Sequence, residues 1–149
     1  MIGKDKISTD EIRIEAPVEL VWKILVDFEN YGKWNKFCPQ ATAKLEVGSP
    51  IHMVLNFGNG PQPWVEYISH IEPNKAIAWR MENKPGDPVH AVRTQTLTKL
   101  SETSCSYLSV DEFSGEGVPQ MIAESGQAVE DGFNVCAQGL KQYAEQLAI

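Results

Sequence analysis

The chain has 149 residues, of which 42% are hydrophobic and 22% charged, values typical of a globular protein rather than of a disordered or membrane-spanning one. Its net charge is −7, and its 13 Lys and Arg residues are scattered singly, so no basic stripe is present that would neutralise a nucleic-acid backbone. The length predicts a single domain over residues 1–149, and nucleic acid is not expected as a partner.

The N-terminal residues predict a cytoplasmic location. Polar and apolar residues alternate after Met1, where a secretory signal would have an apolar core and a cleavage site. No apolar stretch approaches the roughly 20 residues that cross a bilayer, so stable membrane insertion is not expected. The oligomeric state, monomer or homodimer, stays open.

A strand and two short helices are predicted for the first third of the chain. Residues 7–14 end in apolar/polar alternation, and the following Ala16-Pro17 suits the first turn of a helix. From Val18 to Phe28 the apolar residues recur at helical spacing. A second short helix is predicted over residues 31–37, before Pro39.

Residues 42–114 predict a meander of five or six antiparallel strands. Their hydrophobicity has a period of two, and turns rich in Gly, Pro and Asn separate the segments. The odd positions of residues 51–57 are all large and apolar, and Ile77, Trp79 and Met81 repeat this pattern. Each strand is therefore expected to have one apolar face.

A long helix is predicted after Pro119. About 30 proline-free residues would form a helix of roughly 45 Å, with its apolar residues on one stripe. Gly126, Gly132 and Gly139 interrupt this segment, although each costs about 1 kcal/mol in a helix relative to Ala. They indicate a close approach to the sheet or a bend.

Three motifs resemble the helix-grip fold of the START-like (SRPBCC) superfamily, and within it the polyketide cyclase/dehydrase and lipid-transport group. Residues 14–25 are similar to the strand-to-helix opening of that family, with Ala16-Pro17 and Val21-Trp22. Residues 27–35 are similar to its helix–helix corner, and Glu112-Phe113-Ser114-Gly115 to its last strand. The resemblance implies an α+β fold in which a curved antiparallel sheet of six to seven strands wraps a long C-terminal helix, with two short helices between strands 1 and 2.

The grip geometry also implies an apolar cavity between the helix and the sheet, and we take its lining from the apolar strand and helix faces. The candidate ligand-binding residues are Met53, Leu55, Phe57, Val65, Tyr67, Trp79, Tyr107, Ile122, Val129, Phe133 and Cys136. Packing of these residues against one another is the competing interpretation. The mouth is expected at loops 58–63 and 83–88 and at residues 115–120.

Catalytic residues are not identified by any short motif. The candidates are charged residues within strand-like segments, namely Glu66, Arg80, Arg93, Asp111 and Glu112. Glu112 shares a face with Leu108 and Val110 and is the preferred polar group inside, whereas the direction of Arg93 stays open. An inward carboxylate or guanidinium would suffice as the acid or base of a cyclase.

No metal site or cofactor is expected. The three histidines form no pair with metal-ligand spacing, and no phosphate-binding glycine motif follows a strand. Cys38, Cys105 and Cys136 are odd in number and widely spaced, which predicts reduced packing residues rather than disulfides.

Three functions remain open. The first is binding, transport or sequestration of a hydrophobic small molecule such as a lipid, a quinone or a polyketide-like aromatic. The second is a polyketide cyclase/dehydratase-type enzyme, which needs at least two polar groups that converge in the cavity. The third and weakest is a protein-interaction module like the Hsp90-activator group, which would show an exposed apolar patch.

Overall fold

The computed structural model describes residues 1–149 and consists of an antiparallel sheet and two helices. The chain begins with β1 (Lys6–Ser8), β2 (Ile12–Ile14), α1 (Val18–Val26) and a 3₁₀ helix (Phe28–Lys33). The remaining elements are β3 (Gln40–Thr42), β4 (Pro50–Asn56), β5 (Pro61–Glu72), β6 (Ala76–Arg80), β7 (His90–Ser101), β8 (Ser104–Ser114) and α2 (Val118–Leu147). This order confirms the predicted α+β helix-grip class.

The sheet has eight strands, one more than the upper end of the prediction. Its order is β1-β8-β7-β6-β5-β4-β3, and β2 also pairs with β8. The predicted first strand is divided in two at Thr9, whose N–H donates to the Ser109 carbonyl oxygen at 3.0 Å and whose side chain, in place of its own carbonyl, accepts a hydrogen bond from Ser109 N at 3.1 Å. The two halves still form one edge along β8.

The second predicted helix is shorter than expected and lies earlier in the chain. The 3₁₀ helix ends at Lys33, and Asn35 Oδ1 then accepts a hydrogen bond from Cys38 N at 2.9 Å. An Asn side chain that bonds the backbone in this way competes with helix formation. Residues 34–39 therefore turn toward α2 instead of continuing the helix.

At two of the three glycines in α2 another part of the chain approaches the helix closely, and this part is the turn at residues 34–39 rather than the sheet. A Cβ at Gly132 would overlap the ring of Phe37, and a Cβ at Gly139 would overlap the carbonyl oxygen of Trp34. Both contacts fall on the turn at residues 34–39. The glycines let this turn lie directly against the helix.

The core lies beneath the C-terminal half of α2. Cys136, Ala137, Leu140 and Ala144 of this half are buried against α1 and the sheet. Neither helix has a stretch whose length and hydropathy would allow it to cross a membrane. The N-terminal half of α2 stands over the other end of the sheet, where the space is not filled.

Candidate functional site

A cavity of about 780 Å³ lies between the N-terminal half of α2 and the inner face of the sheet. It is lined by Phe37, Met53, Leu55, Phe57, Gly58, Asn59, Gln62, Trp64, Glu66, Trp79, Met81, Val89, Ala91, Arg93, Asp111, Phe113, Met121, Glu124, Ser125, Ala128, Val129 and Phe133. The volume falls within the range of small-molecule sites, and most of the lining residues are apolar. The arrangement can therefore hold a small organic molecule.

The end wall next to the core is aromatic. The ring of Phe37 makes edge-to-face contacts with Phe57 at 5.3 Å and with Phe133 at 5.8 Å between ring centroids. Such contacts add to the stabilisation from burial. Three rings from the turn at 34–39, the end of β4 and α2 thus form one rigid surface of the cavity.

Arg93 lies on the floor of the cavity and is almost fully buried, with 7% of its surface exposed. Its Nε donates a hydrogen bond to Ser109 Oγ at 2.9 Å, and its guanidinium carbon lies 4.1 Å from the centre of the Phe133 ring. Neither terminal nitrogen bonds a protein oxygen, although the Cys136 thiol lies beside the guanidinium, and Nη2 is completely enclosed. The cavity therefore contains a fixed positive charge whose Nη1 has no oxygen partner in the protein.

Asp111 is the cross-strand partner of Arg93, since the two residues are directly opposite in the β7–β8 register. No ion pair within 4.0 Å joins them, and Oδ1 of Asp111 is enclosed without a hydrogen-bond partner. Burial raises the pKa of the Asp111 carboxyl to about 7, with a further rise from Glu66 and an opposing effect of Arg93. Near neutral pH this group is close to half protonated.

Glu66 is the second carboxyl group in the cavity. Its Oε2 accepts a hydrogen bond from Trp64 Nε1 at 2.6 Å. Burial raises the pKa of Glu66 to about 7, although the bond from Trp64 and the charge of Arg93 both act to lower it. The cavity thus contains one guanidinium and two carboxyl groups that both titrate near neutral pH.

Six of the predicted lining residues lie on the cavity wall. Met53, Leu55 and Phe57 come from β4 and its end, Trp79 from β6, and Val129 and Phe133 from α2. Arg93, whose direction the sequence left open, also lies on the wall.

The placement of five predicted lining residues was wrong. Val65 and Tyr67 lie on the outer face of β5, because Trp64, Glu66 and Ile68 take the inner one. Tyr107 and Cys136 are fully buried in the core beyond the cavity, where Tyr107 donates a hydrogen bond to Gln95. Ile122 is half-buried beside Gly126 and Ile2, away from the cavity wall.

The placement of Glu112 inside was also wrong. Its carboxylate is more than half exposed and lies 4.0 Å from Lys6 Nζ on the outer face. The preceding residue, Asp111, points inward instead. Arg80 lies outside as well, where its guanidinium approaches the Tyr67 ring at 5.8 Å and donates a hydrogen bond to the Met81 carbonyl.

Only one of the three segments predicted to form the mouth contributes to the cavity wall. Gly58 and Asn59 of the β4–β5 turn lie on this wall, as does the exposed Glu124 of α2. Loops 83–88 and 115–120 do not contribute, and Met81 and Met121 next to them take their place. Pro61 and Pro63 belong to β5 itself. This part of β5 pairs with β4 but not with β6, so its unpaired edge tolerates proline.

Comparisons with known proteins show similar folds at low sequence identity. The Zhui aromatase/cyclase from Streptomyces sp. R1128 is 19% identical, with a TM-score of 0.75 over 95% of this chain and 93% of that one. A START superfamily protein from Mycobacterium smegmatis is 16% identical, with a TM-score of 0.68 over 96% and 99%. A norcoclaurine synthase from Thalictrum flavum is 12% identical, with a TM-score of 0.71 over 95% and 94%.

The family assignment rests on the sequence itself. No curated protein matches the chain. The profile of the family described as "Activator of Hsp90 ATPase homolog 1-like protein" matches residues 15–145, which is most of the chain and includes all the cavity-lining elements. This chain therefore belongs to that family, within the START-like superfamily.

Proposed function

We propose that this protein binds a hydrophobic small molecule, such as a lipid, a quinone or a polyketide-like aromatic, in the cavity between α2 and the sheet. The observation that carries the proposal is the combination of about 780 Å³ of space, a mostly apolar wall and one polar cluster at Arg93, Asp111 and Glu66. In a core that served stability alone, the buried polar atoms would be expected to be hydrogen-bonded, yet the enclosed Nη2 of Arg93 has no partner. A ligand in the cavity can supply a partner to Nη1, the terminal nitrogen of Arg93 that is not completely enclosed.

The first test is to identify a bound compound. The protein is purified from its native host, and an organic extract is analysed by mass spectrometry under denaturing conditions. In parallel, delipidated protein is titrated with fatty acids, quinones and polyketide-like aromatics in a thermal-shift assay. A near-stoichiometric compound, or a melting temperature that rises with ligand concentration as mass action requires, supports the proposal.

A matched pair of variants assigns the binding to this cavity. Ala128 lines the cavity, whereas Ala123, on the same helix, is exposed. Ala128→Trp should fill part of the cavity and abolish the ligand-induced shift, and Ala123→Trp should leave the shift unchanged. The absence of any compound and of any shift with wild-type protein would contradict the proposal.

An enzyme of the cyclase/dehydratase type is the second candidate. It is favoured by the two cavity carboxyls whose pKa values burial raises to about 7, because general acids and bases work best when their pKa is near the working pH. If the extracted compound is a substrate, incubation with the protein should convert it to a product that has lost water. Glu66→Gln should slow this conversion, whereas a pure binder would show none.

The family name supplies the third candidate, activation of an Hsp90 ATPase. The exposed large apolar side chains are distributed over both termini, the β3–β4 connection, β5, the β7–β8 hairpin and α2. A protein-docking face would instead be expected to concentrate them. ATP hydrolysis by Hsp90, measured with and without this protein, tests this candidate directly.

A further inference from the structure

Within the proposed binding function, the atoms left free at the polar end of the cavity restrict the kind of molecule that fits. Arg93 uses Nε for its bond to Ser109, and only Nη2 among its remaining nitrogens is completely enclosed. Nη1 is therefore the donor that reaches the cavity. The Phe133 ring at 4.1 Å and the Trp79 ring at 5.9 Å from its guanidinium carbon hold the group in place.

Acceptors lie beside this donor. Asp111 is directly opposite Arg93 in the β7–β8 register, and of its two oxygens only Oδ1 is completely enclosed, which leaves Oδ2 to the cavity. Glu66 uses Oε2 for the bond from Trp64 and keeps Oε1 free. A donor and two acceptors thus converge on the same end of an otherwise apolar space.

The charges at this end nearly cancel. Arg93 carries one positive charge, and the two carboxyls, whose pKa values are both raised to about 7 by burial, together carry about one negative charge near neutral pH. Glu124, which also lines the cavity, is exposed to solvent. A charged head group would add an uncompensated charge to an apolar site, which is costly.

We propose that the ligand carries an uncharged hydroxyl group at this end, which accepts a hydrogen bond from Arg93 Nη1 and donates one to Asp111 or Glu66. A hydroxyl is the small neutral group that is both donor and acceptor at one atom. A ketone oxygen would accept from the guanidinium and from a protonated carboxyl but would leave the ionised carboxyl without a donor, and an ammonium group would leave the guanidinium without an acceptor. The ligand class is therefore apolar alcohols or phenols.

The test compares four probes of one shape by isothermal titration calorimetry at pH 7, namely naphthol, naphthalene, naphthoic acid and naphthylmethylamine. Naphthol should bind at least about 10-fold more tightly than naphthalene, because a hydrogen bond to a charged partner contributes at least that factor. The anionic and cationic probes should bind more weakly than naphthol. Equal affinities for naphthol and naphthalene, or tighter binding of either charged probe, would overturn the hydroxyl inference and leave the binding function standing.

Binding of none of the four probes would count against the binding function itself as well as the inference. The ratio of the naphthalene and naphthol dissociation constants, measured in variants, identifies the residues that bind the hydroxyl group. Arg93→Met and Asp111→Ala should bring this ratio close to 1, and Glu112→Gln, the neighbour on the outer face of β8, should leave it unchanged. A ratio that stays high in both cavity variants would show that the hydroxyl is bound elsewhere.

Discussion

The ring of Phe37 occupies the place where a side chain on Gly132 of α2 would begin. Phe37 is buried and is held between Phe57 and Phe133, so it cannot move aside without disturbing both contacts. The aromatic end of the cavity therefore requires glycine, which has only a hydrogen atom as its side chain, at position 132 of α2.

Gly132→Ala should therefore destabilise the protein, although Ala is normally the better helix former. Overpacking of a buried contact costs about 1–3 kcal/mol, which exceeds the gain of about 1 kcal/mol in helix propensity. Gly126→Ala is the matched control, since the nearest atom to its Cβ would be Ile122 Cγ2 at 3.3 Å, on a half-buried side chain that can adjust. Urea denaturation of the two variants measures the difference, and equal stabilities would contradict the packing described here.

Tyr107→Phe should cost about 2 kcal/mol of unfolding free energy. The Tyr107 hydroxyl donates to Gln95 Oε1 at 2.6 Å, and Nε2 of the same amide already lacks a partner. Removal of the hydroxyl would leave a buried acceptor unpaired as well, and that penalty is about 1–3 kcal/mol. Tyr143→Phe, at a half-buried tyrosine whose hydroxyl makes no hydrogen bond, should change stability by less than about 0.5 kcal/mol.

The double variant Tyr107→Phe with Gln95→Met separates the two possible causes of that loss. If the unpaired amide is responsible, removal of both polar partners should be less damaging than removal of one. A double variant that is less stable than Tyr107→Phe alone would show that packing, not pairing, determines the loss. Chemical denaturation of the four proteins completes the cycle.

The order of the elements, the inner faces of β4 and β6 and the course of α2 could all be predicted from periodicity. In these segments large apolar residues occupy one face without interruption, as in Met53, Leu55 and Trp79. The face that packs is then the apolar face. Six of the predicted lining residues follow from this rule alone.

The same rule fails on β5 and β8, because these strands carry the polar groups of the cavity. On β5 the more apolar face, with Val65 and Tyr67, points outward, while Trp64 and Glu66 point inward. On β8 the neighbours Leu108 and Val110 make the face of Glu112 look like the inner one. A functional cavity requires inward polar residues, and these invert the pattern that hydrophobicity predicts.

A signal for Asp111 was nevertheless present in the sequence. Alternation counted from Tyr107, which was expected inside, places residue 109 and residue 111 on the inner face and residue 112 on the outer one. In the structure Tyr107 pairs with Leu97 across the two strands and both are buried, so the odd-numbered residues of β8 face inward. Phe37, by contrast, lies in an irregular turn whose course depends on Asn35, and no periodicity could have placed it.

The three thiols should be unreactive in the folded protein. Cys38, Cys105 and Cys136 are all buried and free, and burial raises the pKa of Cys38 to about 12 and that of Cys105 to about 11. Because the thiolate is the reactive form, Ellman's reagent at pH 8 should modify none of them quickly in the native state and all three in urea. A thiol that reacts in native protein at the rate of free cysteine would reveal local opening of the core.

The stability of the folded protein should fall as the pH rises from 5 to 8. Burial raises the pKa of Glu66 and of Asp111 to about 7, whereas in the unfolded chain both carboxyls titrate near pH 4. Between these values the folded state binds more protons than the unfolded state, so the slope of unfolding free energy against pH is negative. The loss begins above the unfolded pKa and is complete once the pH has passed the folded one.

Glu66→Gln removes one of these two contributions and preserves the local geometry, because the amide oxygen can still accept the bond from Trp64 Nε1. The variant should be more stable than wild type by about 3 kcal/mol at pH 8 and nearly equal to it at pH 4. Glu112→Gln, at an exposed carboxylate, should follow the wild-type curve throughout. Urea denaturation at pH 4, 6 and 8 measures the unfolding free energies of the three proteins. If the curve of Glu66→Gln against pH runs parallel to that of wild type, the pKa of Glu66 is the same in the folded and unfolded states. Glu66 would then be ionised in the cavity at neutral pH, and the charge balance assigned to the polar end of the cavity would be wrong.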